Sequence, residues 1–480
     1  MRNKEKTKVL ISGTIFRSFA HHIYESGNKC MAENIHAEEI VYVNGDLIEE
    51  FFTFVHPQIT APYKLITHNS QHVIGTDNLI YIDNKIIRWF GQNVSVHHPK
   101  ITPIPTGLPH DTSCGPRKLS HVASCENKFV IVHENNVPDS PLIWEAVLLG
   151  AVTVMKKNFL GEYFQKIGLP ILMIENLDEF ATTSEEKKAK IYSDIMARCI
   201  SIKDNLLSPA YWRGVVTAPE HTRDEAVVVF AIGKKFQNLY ARTYMPSHIR
   251  LCQDICRPLI IVGDYIQKVP GKSPQWQREI MFRAPIFSNI NRVMMLDADI
   301  LTKNTQENPF DLVPQSEWGL VKNNTFDLPT LAESDLCLYK YCPAEKRPDF
   351  VLNFGFFIVN KKIHRDIMEY VFENYEEQPL DVQGPLSYYF INDYKGTILP
   401  FRFNTVVGSY LEKYGYSMTT VMSLWRESHF LHFAGNVNKK ILRLFLIFEK
   451  YPFLSRLFAH PAFLWCADRM TFIIKTIKRI

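Results

Sequence analysis

The sequence predicts an α/β protein of two domains with a helical tail. Three observations carry this: short apolar runs alternating with helical segments, a polar break near the middle, and a second strand-helix series after it. In the first series Lys8–Ser12, Glu39–Val43, Tyr63–Thr67, Leu79–Ile82 and Lys128–His133 read as strands rich in Val, Ile and Leu. The segment from Pro99 to Pro105 holds too many prolines for a central strand and is expected to cross between subdomains. Residues 184–206 read as a helix closing this half. The polar stretch Gly214–Glu225 marks the boundary. Beyond it the reading is strand at Ala226–Ile232, helix to about Asp254, strand at Leu259–Val262, helix at Gln275–Asn289 and strand at Arg292–Leu296. The expected division is 1–213 for a Rossmann-like domain, 214–225 for a linker, 226–440 for the second domain and 441–480 for the tail.

The 480 residues are 46% hydrophobic, 12% aromatic and 22% charged, the balance of a folded globular protein. The net charge of +4 is unevenly spread, with residues 440–480 carrying +6 and residues 1–439 carrying −2. A mildly acidic body is not a nucleic-acid-binding surface, so no nucleic-acid partner is expected. The nine cysteines include no Cys-x-x-Cys pair, which points to free thiols in a reducing compartment. Cys252 and Cys256 are expected on one helix face, as core. The N-terminal apolar run is too short for a signal peptide, and no run is long enough to span a membrane. Cytoplasmic residence is expected, with peripheral attachment to a membrane through the tail.

The chemistry concentrates at Arg292-Val-Met-Met-Leu-Asp297-Ala-Asp299, an apolar strand running into two acids spaced i, i+2. Ligands of open α/β sheets bind outside the carboxyl ends of strands. Two carboxylates there can share a divalent cation, which in turn neutralises a diphosphate; alone, such a pair also serves as a turn or helix cap. Three further stretches accompany it. Asn353-Phe-Gly355 opens an apolar strand, where Gly allows close backbone approach to a ligand and Asn a hydroxyl contact. Asp381-Val-Gln383 precedes a helix, and His432-Phe-Ala-Gly435 is followed by Lys439. His432 is a candidate third metal ligand and Lys439 a candidate diphosphate clamp.

This order resembles the GT-A nucleotide-sugar glycosyltransferases, family 8 above all, the group of glycogenin and the bacterial lipopolysaccharide galactosyltransferases. The resemblance runs over residues 226–440. It implies Mn²⁺, or Mg²⁺, held by Asp297, Asp299 and His432, and a UDP-sugar donor held by Phe230, Ala231, Ile232, Gly233, Arg283, Asn353, Gly355, Gly435 and Lys439. Asp381 and Gln383 would orient the acceptor hydroxyl or stabilise the developing cation, although either could be a helix cap. It further implies transfer of a hexose with retention of configuration to a glycan or lipid-linked acceptor, in surface polysaccharide synthesis. Two departures stand out: Gln383-Gly384 replaces the family's Gln-Asp, and Lys439 lies one residue further from Gly435 than is usual.

In the first half, Trp144-Glu145-Ala-Val-Leu-Leu-Gly150 resembles the donor-side strand–helix unit of GT-B enzymes of exostosin or fucosyltransferase type, without the arginine that precedes it there. Residues 7–210 therefore read as a reduced GT-B-type domain, inactive or acceptor-binding. The stretches Leu65–Ser70 and Arg88–Asn93, with His97-His98, carry polar groups of no assigned role. The tail mixes eight cations with eight aromatic residues, a composition favoured at anionic membrane surfaces and equally one of helices packed on the domain. Two other functional readings compete: a non-catalytic nucleotide- or carbohydrate-binding protein of decayed transferase domains, and a bifunctional transferase.

Overall fold

A computed structural model describes residues 10–108, 128–133, 138–199, 201, 205–303, 307–323, 339, 342–376, 383–434, 439–451 and 453–455. The fold is α/β, with parallel and mixed sheets. Its contacts divide it into two compact units: Met1–Arg223 with Cys256–Ile260 and Phe282–Asn289, and Asp224–Ile255 with Ile261–Met281 and Ile290–Ile480.

In the first unit, β1 (His22–Glu25), β2 (Asn28–Lys29), β3 (Ile40–Asn44), β4 (Tyr63–His68), β5 (Ile86–Gly91) and β6 (Ile101–Pro103) form one sheet in the order β2-β1-β3-β4-β5-β6. All neighbours are parallel except the β1–β2 hairpin. Every residue of β4 is buried, as expected of a parallel strand covered on both faces. The one lysine in it, Lys64, places its Nζ on the carbonyls of Thr217 and Ala218, at the carboxyl end of the helix Pro209–Thr217. There the helix dipole favours a cation, even though burial lowers the pKa of the ammonium. Pro103 is tolerated because β6 is an edge strand. A separate parallel sheet follows, β7 (Phe129–Ile131), β8 (Val152–Lys156) and β9 (Ile171–Ile174).

Two expectations for this half are corrected. Residues 10–12 are not a strand but lead into the short helix Gly13–Arg17. Leu79–Ile82 is not a strand either. It belongs to the 3₁₀ segment Thr76–Tyr81, where the Asn78 carboxamide accepts from the Gly75 N–H at 2.9 Å and fixes the turn. The stretch 214–225, read as the linker, holds the end of Pro209–Thr217 and the turn Glu220–Thr222, Glu220 pairs with the buried Arg88, and the two units divide within it, between Arg223 and Asp224.

The second unit is built on β10 (Glu225–Phe230), β11 (Leu259–Val262), β12 (Arg292–Asp297), β13 (Ile300–Thr302), β14 (Trp318–Lys322), β15 (Leu352–Asn360), β16 (Gly396–Ile398), β17 (Thr405–Val406) and β18 (Phe430–His432). The main sheet runs β11-β10-β12-β15-β14-β16, and a small one runs β13-β18-β17. At the start of β12, the buried Arg292 guanidinium binds Glu225 of β10 at 3.0 Å and the carbonyl of Phe310 at 3.1 Å. A buried charge is tolerated when it is paired and hydrogen-bonded in this way.

The helix expected over Gln275–Asn289 is instead three 3₁₀ turns, Pro274–Arg278, Met281–Arg283 and Pro285–Phe287. Pro285 cannot continue a helix, and it pushes the preceding Ala284 to an extended ψ of 134°. The helix to Asp254 is two, Lys234–Thr243 and Met245–Asp254. Cys252 is buried in the latter, whereas Cys256 lies beyond its end with φ 52°, so the two do not share a helix face. The tail begins as the helix Lys439–Lys450, whose Phe445 and Phe448 are buried against Trp425 at ring separations of 5.1 and 5.5 Å. That face of the helix packs on the unit, whereas Ile447, Tyr451 and Phe453 are exposed. Among the described residues no helix is long and apolar enough to cross a membrane.

Candidate metal centre

Two strand pairings assemble the site. β10 and β12 are parallel and in register, so Phe230 pairs with Asp297 and both strands end at the same level. β15 is antiparallel to β12, with Leu296 opposite Phe356, which brings the beginning of β15 to the end of β12. After Asp299 the chain enters β13, where Ile300 pairs with His432 of β18 and the Phe433 N–H binds the Asp299 carbonyl at 3.0 Å. Residues far apart in sequence thus meet because one acidic turn is shared by two sheets.

Asp297, Asp299 and His432 form the cluster this produces, each offering one ligand atom with all three within 4.8 Å of one another. His432 Nε2 lies 3.4 Å from Asp299 Oδ1 and 3.7 Å from Asp297 Oδ2. Two carboxylate oxygens and an imidazole nitrogen could together hold a divalent cation. The imidazole is buried and the carboxylates are partly open, which leaves room for a ligand on the acid side.

The other face of His432 is fixed by amides. Its Nδ1 lies 2.9 Å from Asn404 Oδ1. The Asn404 Nδ2 donates at 2.9 Å to Asn353 Oδ1, and the Asn353 Nδ2 donates at 2.8 Å to Asn323 Oδ1. Since the Asn404 oxygen can only accept, the Nδ1 of His432 carries a proton and the Nε2 lone pair is directed at the acids, the tautomer a metal ligand needs. Burial opposes protonation of Nε2 as well. The hydrogen bond to Asp299, followed by the charges of Asp299 and Asp297, overcomes it and holds the imidazole pKa above its ordinary value. Burial likewise disfavours the Asp299 carboxylate, but the hydrogen bond and charge of His432 keep it below the usual carboxylate range. A cation here would compete with that shared proton.

Several site residues of the sequence reading acquire different tasks. Gly355 does give a close approach, but to His432: a Cβ on Gly355 would lie 2.3 Å from His432 Cε1. Asn353 was expected to meet a hydroxyl, yet its side chain is buried in the amide chain and also accepts from the Gly355 N–H at 2.9 Å. Arg283 is exposed, in a segment that belongs to the first unit. The basic group at the acids is Arg278, buried, 3.3 Å from Asp297 Oδ1 and 3.1 Å from the Phe354 carbonyl. Gln383 begins the helix Gln383–Asp393 and its Oε1 accepts from the Phe354 N–H at 3.3 Å, beside the same strand end. Phe230 closes β10 opposite Asp297, Ala231 and Ile232 follow it, and Gly233 caps the next helix at φ 97°. Asp381, Gly435 and the side chain of Lys439 lie outside the described residues.

Arg278, Asn404 and Asn323 are absent from the sequence reading. Asn404 and Asn323 sit at the ends of short elements with no periodicity to mark them, and Arg278 lies in the run expected to be a helix. Their one signal is the antiparallel register of β15, which cannot be read before β12 and β15 are paired. A further support was also hidden: the fully buried His248 places Nε2 2.8 Å from the Ile300 carbonyl, pinning the strand that follows Asp299. Burial lowers the His248 pKa to about 4, so the ring is neutral.

No protein-family model matches the chain, and no curated protein matches it. Solved structures with some likeness include a glycosyltransferase involved in the glycosylation of the major capsid of PBCV-1, at 12% identity, 46% of this chain, 99% of that one and a TM-score of 0.32. Another is mouse xyloside xylosyltransferase 1 in its apo form, at 12% identity over 45% and 98% of the two chains with a TM-score of 0.29. A third is the glycosyltransferase GlyE of Streptococcus pneumoniae TIGR4, at 15% identity over 44% and 55% with a TM-score of 0.27. All three are glycosyltransferases. Likeness this slight bears no weight, and the functional reading rests on the site.

Proposed function

We propose that the chain is a metal-dependent glycosyltransferase that moves a hexose from a UDP-sugar to a glycan or glycolipid acceptor, with retention, in surface polysaccharide synthesis. The observation that carries it is the Asp297–Asp299–His432 cluster at the carboxyl end of β12, beside the Phe230–Gly233 strand end. When bound, Mn²⁺ would neutralise the charge that grows on the diphosphate as the glycosidic bond breaks. The chain's own part is to present ligands already oriented. Arg278 holds the Asp297 carboxylate, Asn404 keeps the proton on Nδ1 of His432, and Gly355 leaves space for the ring. The end of β10 would receive the uridine. Gln383, with Asp381, would orient the acceptor hydroxyl, and Lys439 would meet the diphosphate.

The test is a screen of nucleotide sugars with Mn²⁺, reading nucleotide release. Release should require the metal and fall about a thousandfold in Asp299→Ala, the scale of losing the main stabilisation of transition-state charge. Metal and UDP binding without release from any donor would favour a non-catalytic binding protein. An undiminished rate in the variant would remove the proposal.

A further inference from the structure

The stretches Leu65–Ser70 and Arg88–Asn93, which the metal centre does not use, meet in the first unit. With the turn after β3 and the segment after β6 they border a cavity of about 590 Å³ at the carboxyl ends of the parallel strands. Its polar lining includes Asp46, Asn69, Ser70, Gln71, Gln92 and Thr106. Parallel α/β sheets bind ligands at this end, and the volume is that of a small-molecule site.

The walls are built rather than incidental. The Asn69 N–H donates to Gln92 Oε1 at 2.9 Å, Gln92 Nε2 donates to Thr106 Oγ1 at 2.7 Å, and the Thr106 N–H donates to the buried Asp139 at 2.6 Å. Trp144 Nε1 anchors the other Asp139 oxygen at 2.9 Å. Two glycines let the loops close together: a Cβ on Gly13 would fall 1.7 Å from Asn69 Oδ1, and one on Gly45 2.5 Å from the Ser70 Cβ.

The lining decides the ligand class. Among the described residues it holds no lysine or arginine to balance a phosphate, and the Asp46 carboxylate would repel one. Among the same residues it has no Phe, Tyr or Trp on which a nucleobase could stack, and the ring of His68 is buried and stacked on Phe16. Amides, hydroxyls and a single carboxylate at fixed positions are what a ligand rich in uncharged hydroxyls requires. We propose that this cavity is a second binding site, for a neutral saccharide, with the exposed Asp46 and Gln71 contacting its hydroxyls. The site is independent of the metal centre and does not rest on the transferase reading.

Saturation-transfer NMR on the full chain with a panel of neutral mono- and disaccharides tests this. At least one sugar should give signal without added metal. Asp46→Ala should weaken it about tenfold or more, the loss of a hydrogen bond to a charged group. Asp46 is exposed, so an unchanged melting curve should accompany the loss; Gln71→Ala, also exposed, provides a second variant. Asp299→Ala should leave the signal intact, and UDP should not displace the sugar. Silence from the whole panel, a signal unmoved by both cavity variants, or one lost in Asp299→Ala or to UDP would each overturn the proposal.

Discussion

The two units place a polar site at the same architectural position, the carboxyl end of their strands, and furnish it with opposite chemistry. In the second unit, carboxylates and an imidazole converge, with Arg278 balancing their charge. In the first, amides, hydroxyls and the Asp46 carboxylate ring a hollow whose described lining holds no lysine or arginine. Both are held by chains of hydrogen bonds, Asn404–Asn353–Asn323 in one and Gln92–Thr106–Asp139 in the other. The difference teaches that the strand ends supply only the place, and that side-chain charge selects the ligand.

The largest way to break the contrast is Asp299→Ala, which should abolish donor turnover while leaving saccharide binding by the first unit untouched. Next is Asn404→Ala. Freed of its partner, Nδ1 no longer fixes the tautomer, and Mn²⁺ affinity measured by electron paramagnetic resonance should fall about 10–100-fold. Unchanged affinity would show that His432 is oriented by packing alone. Gly355→Ala should follow, because its methyl meets the imidazole at 2.3 Å and the ring or the strand must move. A destabilisation of about 1–3 kcal/mol in urea titration is expected, with weakened metal binding.

The last effect, confined to acid, is on pH. Burial lowers His248 and His364 to about 4, both in the second unit. The unfolded chain binds their protons near pH 6.5 and the folded one does not. Their contribution is therefore complete above pH 6.5 and is lost as pH falls from there toward 4, at about 1.4 kcal/mol per group per pH unit. His364→Gln should flatten the decline in denaturation midpoint over that interval.

The legible part of the fold was its alternation. β3, β4, β10 and β12 are apolar runs long enough to be recognised, and Asp297 and Asp299 stand out because acids abruptly end one of them. Leu79–Ile82 misleads because four apolar residues fit a 3₁₀ turn as well as a strand, and Asn78 decides between them. Gln275–Asn289 misleads because its periodicity is helical while Pro285 forbids the helix. The same run holds both Arg283 and Arg278, and it is Arg278 that stands beside Asp297. Asn404 could not be read at all, since its role exists only once β15 and β18 lie beside it.

The central claim is that the acid–imidazole cluster is a metal centre serving a nucleotide. Calorimetry of the full chain with Mn²⁺ in the presence and absence of UDP tests it most directly. UDP should strengthen Mn²⁺ binding, and Asp299→Ala should eliminate it. Equal Mn²⁺ binding in the variant, or UDP binding indifferent to the metal, would contradict it.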